Sequence, residues 1–400
     1  MPYQFIPRET KSCPDCKESW ISFRWCKDCE TNSMKGNFYY WTSGNKEIDE
    51  LIRHTQLSTF QACDYLEWIP FDNFEFVKYN GSGEFNSIYS AIWMEGPRSN
   101  WNDTFKEWTR AGPTKVALKR LDNSLNISSS YVDRIKMYHK YIKSASLAET
   151  FGITRDSTSN YMIVMKYYEN GNLYQYLDRH GGILSWKVTI DMLREFARSL
   201  KEIHSGEKIH KNLHGGNLLI EDEMNVRISD MGIYGPSYIN FENKNLNQIY
   251  GVLPYIAPEI LRGENITIAS DIYSFGIIMY TFATGKRPWY NRAHNISLAK
   301  DICDGERLEI PGDAPDFYAN LMQQCWDNDP DKRPNATELY DGLNWINLIR
   351  YNPSPFDDNY YISEEKRCKS FKSYTHPEIH PEAYYTSKFF HFPELIKHDH

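Results

Sequence analysis

Four hundred residues suffice for one two-lobed domain of roughly 250–300 residues with flanking pieces, and a 41% hydrophobic, 15% aromatic composition readily supplies a core. A formal net charge of −8 argues against a nucleic-acid binder, which ordinarily carries a basic patch. No stretch reaches the ~18 apolar residues of a membrane span; the longest candidate, Ile272–Thr284, is short and interrupted by Ser274 and Gly276. The amino terminus lacks the apolar segment of a secretory signal, and neither end carries a lipidation motif. Eight cysteines in such a chain point to a reducing compartment, cytoplasmic or nuclear, and to metal binding rather than disulfides.

The first organised stretch, residues 11–30, carries Cys13-x2-Cys16-x9-Cys26-x2-Cys29. Each C-x-x-C knuckle presents two thiolates on one side of a tight turn, and two knuckles supply the four tetrahedral ligands of structural Zn2+. Twenty residues cannot build a core alone, so the metal would supply the folding energy of a zinc-ribbon-like module. Charges within 11–30 cancel, which favours a structural or protein-contact role. An unstructured cysteine-rich leader and a redox role for the pairs are the alternatives. Residues 31–70 read as a connector with one helix, in which Ile48, Leu51, Ile52 and Thr55 keep helical spacing behind Ser43 or Asn45 as N-cap.

Alternating strands Phe74–Asn80 and Ile88–Trp93 flank the glycine-bearing turn Gly81-Ser-Gly83-Glu-Phe85-Asn86. Glu95–Pro113, rich in Trp, Asn and Gly, reads as a long hairpin loop. A strand follows at Val116-Ala117-Leu118-Lys119, then a helix over Ser128–Lys143, a strand at Tyr161–Tyr168 and an amphipathic helix over Trp186–His204. Beyond it lie His210-Lys-Asn212-Leu-His214-Gly-Gly-Asn217, Ile228-Ser-Asp230-Met231-Gly232, Ala257-Pro-Glu259, Asp271-Ile-Tyr-Ser-Phe-Gly276 and Cys325-Trp326 through Arg333-Pro334. After Arg350 the chain is polar and Pro/His-rich. Residues 349–400 read as a largely disordered tail with one aromatic segment, 383–390, able to dock on the domain or a partner.

Taken in order and at these separations, the motifs from about residue 71 to 348 resemble the protein kinase superfamily, and in detail its tyrosine-kinase-like Ser/Thr group. The resemblance implies an α+β, bilobal fold with a small β-rich N-lobe and a larger helical C-lobe. It implies ATP and Mg2+ as cofactors. Gly81 and Gly83 would cover the phosphates, Lys119 would pair the α- and β-phosphates, and Asn217 and Asp230 would hold magnesium. Ile88, Ala117 and Leu219 would sandwich the adenine, with Met165 as gatekeeper and Tyr167 in the hinge. Apolar residues at these positions are equally consistent with an ordinary core. Glu259 is expected to pair with Arg333, and Asp271 to anchor the loop at His210. Activation-segment candidates for phosphorylation are Tyr234, Ser237, Tyr238 and Tyr250.

The departures concern catalysis. Asn212 stands at the catalytic Asp position; a neutral amide can orient a hydroxyl but cannot take its proton. Asn86 replaces the third loop glycine; Asn tolerates φ > 0 better than most residues, so a weakened rather than an abolished loop is expected. The Glu expected to hold Lys119 falls on Arg134, with Asp133 about 100° round the helix. Lys211 replaces an Arg that would fork onto phosphate, and Val252 replaces a Thr. The first reading is therefore a nucleotide-binding pseudokinase acting as scaffold or allosteric partner to a protein in intracellular signalling. A weakly active protein kinase and an interaction module without nucleotide are the alternatives.

Overall fold

The computed structural model describes residues 12–62, 64–105, 107–142, 147–231, 233, 235–237, 249–351, 357–371 and 374–395. Gly232, Tyr234 and Tyr238 lie outside the described residues. The chain divides into two units: one of residues 1–167 with 236–243, the other of residues 168–235 with 244–400.

The first unit is β-rich. The cysteine module leads directly into α1 (Lys27–Asn37), and α2 (Lys46–Leu57) follows, capped as expected by Asn45, whose side chain accepts from Glu47 N and Ile48 N. Two helices thus occupy the stretch where the pattern marked one. α1 is polar and carries Gly36, so its own propensity is poor. Its surroundings explain it: Cys26 and Cys29 at its start belong to the cysteine cluster, and Met34 packs with Trp25 and Tyr65. Next come β1 (Glu67–Trp68), β2 (Phe74–Ser82), β3 (Asn86–Trp93), β4 (Arg98–Asn102), β5 (Glu107–Arg110), β6 (Thr114–Leu121), α3 (Ser129–Ile142), β7 (Thr150–Arg155) and β8 (Tyr161–Lys166). Six of these strands form one sheet in the order β1-β7-β8-β6-β3-β2. Its period-2 alternation sends Ala91, Trp93, Val116, Leu118, Met162 and Val164 into one core.

The segment read as a long loop holds a second sheet, the β4–β5 hairpin. Aromatic residues join it to the cysteine module. Trp20 meets Trp101 with ring centroids 6.4 Å apart, and Trp25 meets Trp108 at 6.0 Å. Trp108 Nε1 donates to Arg24 O (3.3 Å), and Arg98 pairs with Glu30 (2.8 Å). Burial raises the Glu30 carboxyl, against the lowering effect of Arg98.

The second unit is helical. It contains α4 (Leu173–Arg179), α5 (Trp186–Ser205), the β9 (Leu218–Asp222)–β10 (Asn225–Ile228) hairpin, β11 (Ile249–Gly251), α6 (Pro258–Leu261), α7 (Ile268–Thr284), α8 (Ile296–Cys303), α9 (Asp316–Cys325), α10 (Ala336–Tyr351), α11 (Asp357–Phe371) and β12 (Lys388–Phe390). α7 is buried from Ser270 to Ala283 and forms the unit's axis. Glu259 and Arg333 meet bidentately at 2.7 and 2.8 Å, both buried, in the pairing the sequence implied.

The tail corrects the reading of disorder. Arg367, on α11, is only 1% exposed. It donates to Leu184 O (2.7 Å), Phe282 O (3.2 Å), Ala283 O and Asp313 (3.3 Å), and stacks over Trp186 at 4.5 Å. It thereby satisfies carbonyls at the C-terminus of α7, which a helix leaves without intrahelical partners. The chain then crosses Gly285, where Tyr374 Oη donates to the carbonyl (3.0 Å). Gly182, at φ +88°, leaves room for the Tyr374 ring that any Cβ would overlap. Polar composition hid this order because the tail's partners lie far away in sequence.

Candidate active site

His210–Asn217 is built by backbone hydrogen bonds to buried side chains. Asp271, near the start of α7 and 1% exposed, accepts from His210 N (2.7 Å), Lys211 N (3.0 Å) and His204 Nε2 (3.0 Å). These bonds hold Lys211 at φ +72°, a conformation a β-substituted residue adopts only when its surroundings impose it. Lys211 itself is exposed. Asp271 thus anchors the loop as the motif implied.

His210 ties the loop to the next segment. Asn212 N–H donates to His210 Nδ1 (3.3 Å), so the neutral ring carries its proton on Nε2 and donates it to Ser229 O (2.9 Å). Burial holds this imidazole below its ordinary range, despite the opposing pull of Asp271. Ser229 N in turn donates to Asn217 O (2.8 Å), and Asn217 Nδ2 donates to Asn212 O (2.9 Å). That last bond engages Asn217 Nδ2; Oδ1 is the atom of this amide that can ligate a cation. Asp230 follows Ser229 at φ +65°, half-buried, and Met231 is buried. Leu219, half-buried on β9, bridges to Asn172. The helical unit therefore links Asn212, Asn217 and Ser229 by hydrogen bonds, and Asp230 follows Ser229 directly.

Asn212 is 7% exposed, and its side chain is engaged by the tail. Ser387 Oγ accepts from Asn212 Nδ2 (3.0 Å) and lies within donating range of Oδ1 (3.2 Å). His214 completes the set. Gly216 N–H donates to its Nδ1 (3.1 Å), so Nε2 carries the proton and donates to Ser387 Oγ (3.0 Å). Sequence reading missed Ser387 and the part played by His214. No motif marks Ser387; the one available signal was the aromatic segment around it.

The β-rich unit brings four of the other expected residues onto one face of its sheet. Ile88 opposes Lys119 across β3 and β6, and Ala117 opposes Met165 across β6 and β8. All four share the face opposite the core. Lys119 and Met165 are buried, while Ile88 and Ala117 are half-buried. Lys115 Nζ lies 4.0 Å from the ring centre of Tyr167. Gly81 adopts φ +143°, and Gly83 N–H donates to Asn86 O (2.8 Å). Asn86 lies in extended backbone as the first residue of β3, so its tolerance of positive φ is not used there. In α3, Tyr131, Val132, Ile135 and His139 are buried. That register leaves Asp133 exposed and Arg134 half-buried, its guanidinium 4.7 Å from the ring centre of Tyr131. Asp133, the acid adjacent to Arg134 in sequence, is thus on the exposed side of the helix.

The four N-terminal cysteines form a second centre. Their Sγ atoms all lie within 4.8 Å of one another, with Cys13–Cys29 at 3.7 Å and Cys16–Cys26 at 3.4 Å. Tetrahedral ligands at ~2.3 Å from zinc stand about 3.8 Å apart, so the cluster has the dimensions of such a site. Burial raises the Cys26 and Cys29 thiols, a cost that a coordinated cation would reverse by taking the thiolates as ligands.

The β-rich unit carries a glycine turn and a buried lysine, and the helical unit carries an aspartate-anchored His-x-Asn loop followed by Asp230. The model of the protein tyrosine and serine/threonine kinase family matches residues 74–343, and the chain belongs to the protein kinase superfamily. It is 35% identical over 187 residues to a putative serine/threonine-protein kinase/receptor of Acanthamoeba polyphaga mimivirus, covering 46% of this chain and 11% of that protein. It is 26% identical over 366 residues to a probable serine/threonine-protein kinase of Dictyostelium discoideum, covering 82% of this chain and 22% of that one. A second Dictyostelium discoideum protein of the same description is 30% identical over 190 residues, 47% of this chain and 11% of its own length. The chain thus spans under a quarter of the length of each of these relatives. Among the described residues, no helix is long and apolar enough to cross a membrane.

Proposed function

We propose that the chain is a nucleotide-binding, catalytically impaired protein kinase domain that acts on a protein partner as scaffold or allosteric effector. One observation carries this reading: the side chain at the catalytic position is the buried amide of Asn212. In protein kinases a carboxylate there accepts the proton of the substrate hydroxyl. An amide has no basic site at neutral pH, and general-base terms are worth ~10²–10⁴ in rate. The nucleotide-handling groups persist. Lys119 would pair the phosphates, Gly81 and Gly83 would cover them, and Ile88, Ala117, Met165, Tyr167 and Leu219 would receive the adenine. Asn217 Oδ1 and the Asp230 carboxylate would hold Mg2+, which when bound neutralises charge on the phosphates. Cys13, Cys16, Cys26 and Cys29 would hold a structural Zn2+, and their thiol spacing supports that assignment.

A second reading, a slow serine/threonine kinase, is favoured by the descriptions of the relatives and by the dominance of positioning and metal electrostatics in phosphoryl transfer. Both readings suit a cytoplasmic or nuclear signalling protein. Binding of Mg-ATP, measured with phosphotransfer for the wild type and Asn212→Asp, separates them. The proposed reading requires nucleotide binding with a large gain of activity in the variant. High wild-type activity, indifferent to the substitution, would refute it.

A further inference from the structure

The loop at Asn212 and the edge of β11 meet a strand from the chain's own tail. β12 pairs antiparallel with β11 in the register Gly251–Lys388, Tyr250–Phe389 and Ile249–Phe390. The residue just before this ladder, Ser387, presents its hydroxyl to Asn212 and His214. Further anchors lie on both sides. Tyr385 Oη donates to Pro288 O (2.9 Å), and its ring packs edge-on against Tyr174 (5.9 Å) and His294 (5.1 Å). Tyr384 N–H donates to His294 Nδ1 (3.1 Å). Phe389 packs against Tyr250 (5.2 Å), and Phe390, stacked on Phe392, is buried.

We propose that these elements form a groove for an extended, hydroxyl-bearing peptide, and that residues 384–392 occupy it in cis. The inference rests on the reading of Asn212 as the catalytic position. Given that, the hydroxyl at Asn212 is the acceptor position, and Ser387 fills it. Main-chain pairing with β11 supplies affinity, as in other cases of strand addition, while side chains at fixed positions supply selectivity. The occupant defines the class of partner: serine or threonine at the centre, an aromatic residue two positions before it, a cation immediately after, and aromatic residues two and three positions after. A protein carrying such a segment gains access only by displacing the tail. Tyr250, a candidate phosphosite, pairs with the occupant and is half-buried.

The test uses the full chain without nucleotide, so its failure is distinct from a failure of the nucleotide-binding reading. A fluorescent peptide of residues 383–392 is titrated into the wild type and into Phe390→Asp, with a scrambled peptide as control. Amide exchange at Ile249–Gly251 reports the occupancy of β11. The expected result is at least ~10-fold tighter peptide binding to the variant, with faster exchange at Ile249–Gly251 that saturating peptide reverses. The double variant Tyr385→Ala/Phe390→Asp is read where the single change leaves exchange unaltered. Equal binding to wild type and released variant, no binding to either, or protection that persists in both variants would overturn the proposal.

Discussion

Replacing Arg367 with Met keeps the aliphatic stem and most of the volume but deletes the guanidinium beneath the C-terminus of α7. Three main-chain oxygens, of Leu184, Phe282 and Ala283, lose their donor, and Asp313 loses its cation. Hydrogen bonds involving a charged group contribute ~1.5–3 kcal/mol each. Against that stands the cost of burying the cation, several kcal/mol, visible as a lowering of the Arg367 proton affinity by burial. Breaking a buried ionic arrangement by removing one partner costs ~3–5 kcal/mol net. For a unit of 150–250 residues, each kcal/mol moves Tm by about 2–4 °C, so the helical unit is expected to melt ~6–20 °C lower. Denaturant titration and calorimetry of the wild type and Arg367→Met measure this. A loss below ~1 kcal/mol, the scale of surface substitutions, would refute the claim that α11 is an integral part of the unit.

Three further expectations follow from the same geometry. Elemental analysis of the full chain should find one zinc per molecule, lost in Cys26→Ser together with stability of the β-rich unit; a metal-free wild type that is stable and indifferent to chelator would refute the site. His210 and His294 are both held neutral by burial, below their ordinary range. The unfolded chain therefore binds more protons as pH falls past ~6.5, and stability present above that pH drops by up to ~1.4 kcal/mol per pH unit for each group. Denaturation at pH 7.5, 6.5 and 5.5 should give a shallower acid loss for His210→Gln than for the wild type, and parallel curves would contradict this. Finally, Asn212→Asp puts a carboxylate against Ser387. With Mg-ATP, the γ-phosphoryl group should pass to Ser387 Oγ, its proton to Asp, and ADP should leave; intact-mass measurement and peptide mapping should find phosphate at Ser387, and its absence under conditions where exogenous peptide is phosphorylated would exclude this alignment.

The kinase domain was legible because its chemistry is local. Gly81, Lys119, Asn217, Asp230 and Glu259 each sit in a short motif, and the order of those motifs limits the topology. Asp271 and the Glu259–Arg333 pair were readable for the same reason. The features missed depend on partners distant in sequence. Arg367 is separated by 183 residues from Leu184, and Ser387 by 175 from Asn212. A polar, histidine-rich composition gives no sign that such residues are buried. Segment 95–113 looked like a loop because its tryptophans pack on the cysteine module instead of alternating over a core. α1 lacked helical periodicity because it begins within the cysteine cluster and carries no apolar stripe. Asn86 does not draw on its tolerance of positive φ, because strand pairing with Leu121 holds it extended.

The central claim is that the nucleotide groups remain while the proton acceptor is gone. Phosphotransfer from Mg-ATP by the full chain, compared between the wild type and Asn212→Asp with nucleotide affinity measured in parallel, tests it most directly. The account predicts similar affinity for the two proteins and a rate at least ~10²-fold higher in the variant, the low end of a general-base contribution. Equal and substantial rates, or no nucleotide binding by either protein, would contradict it.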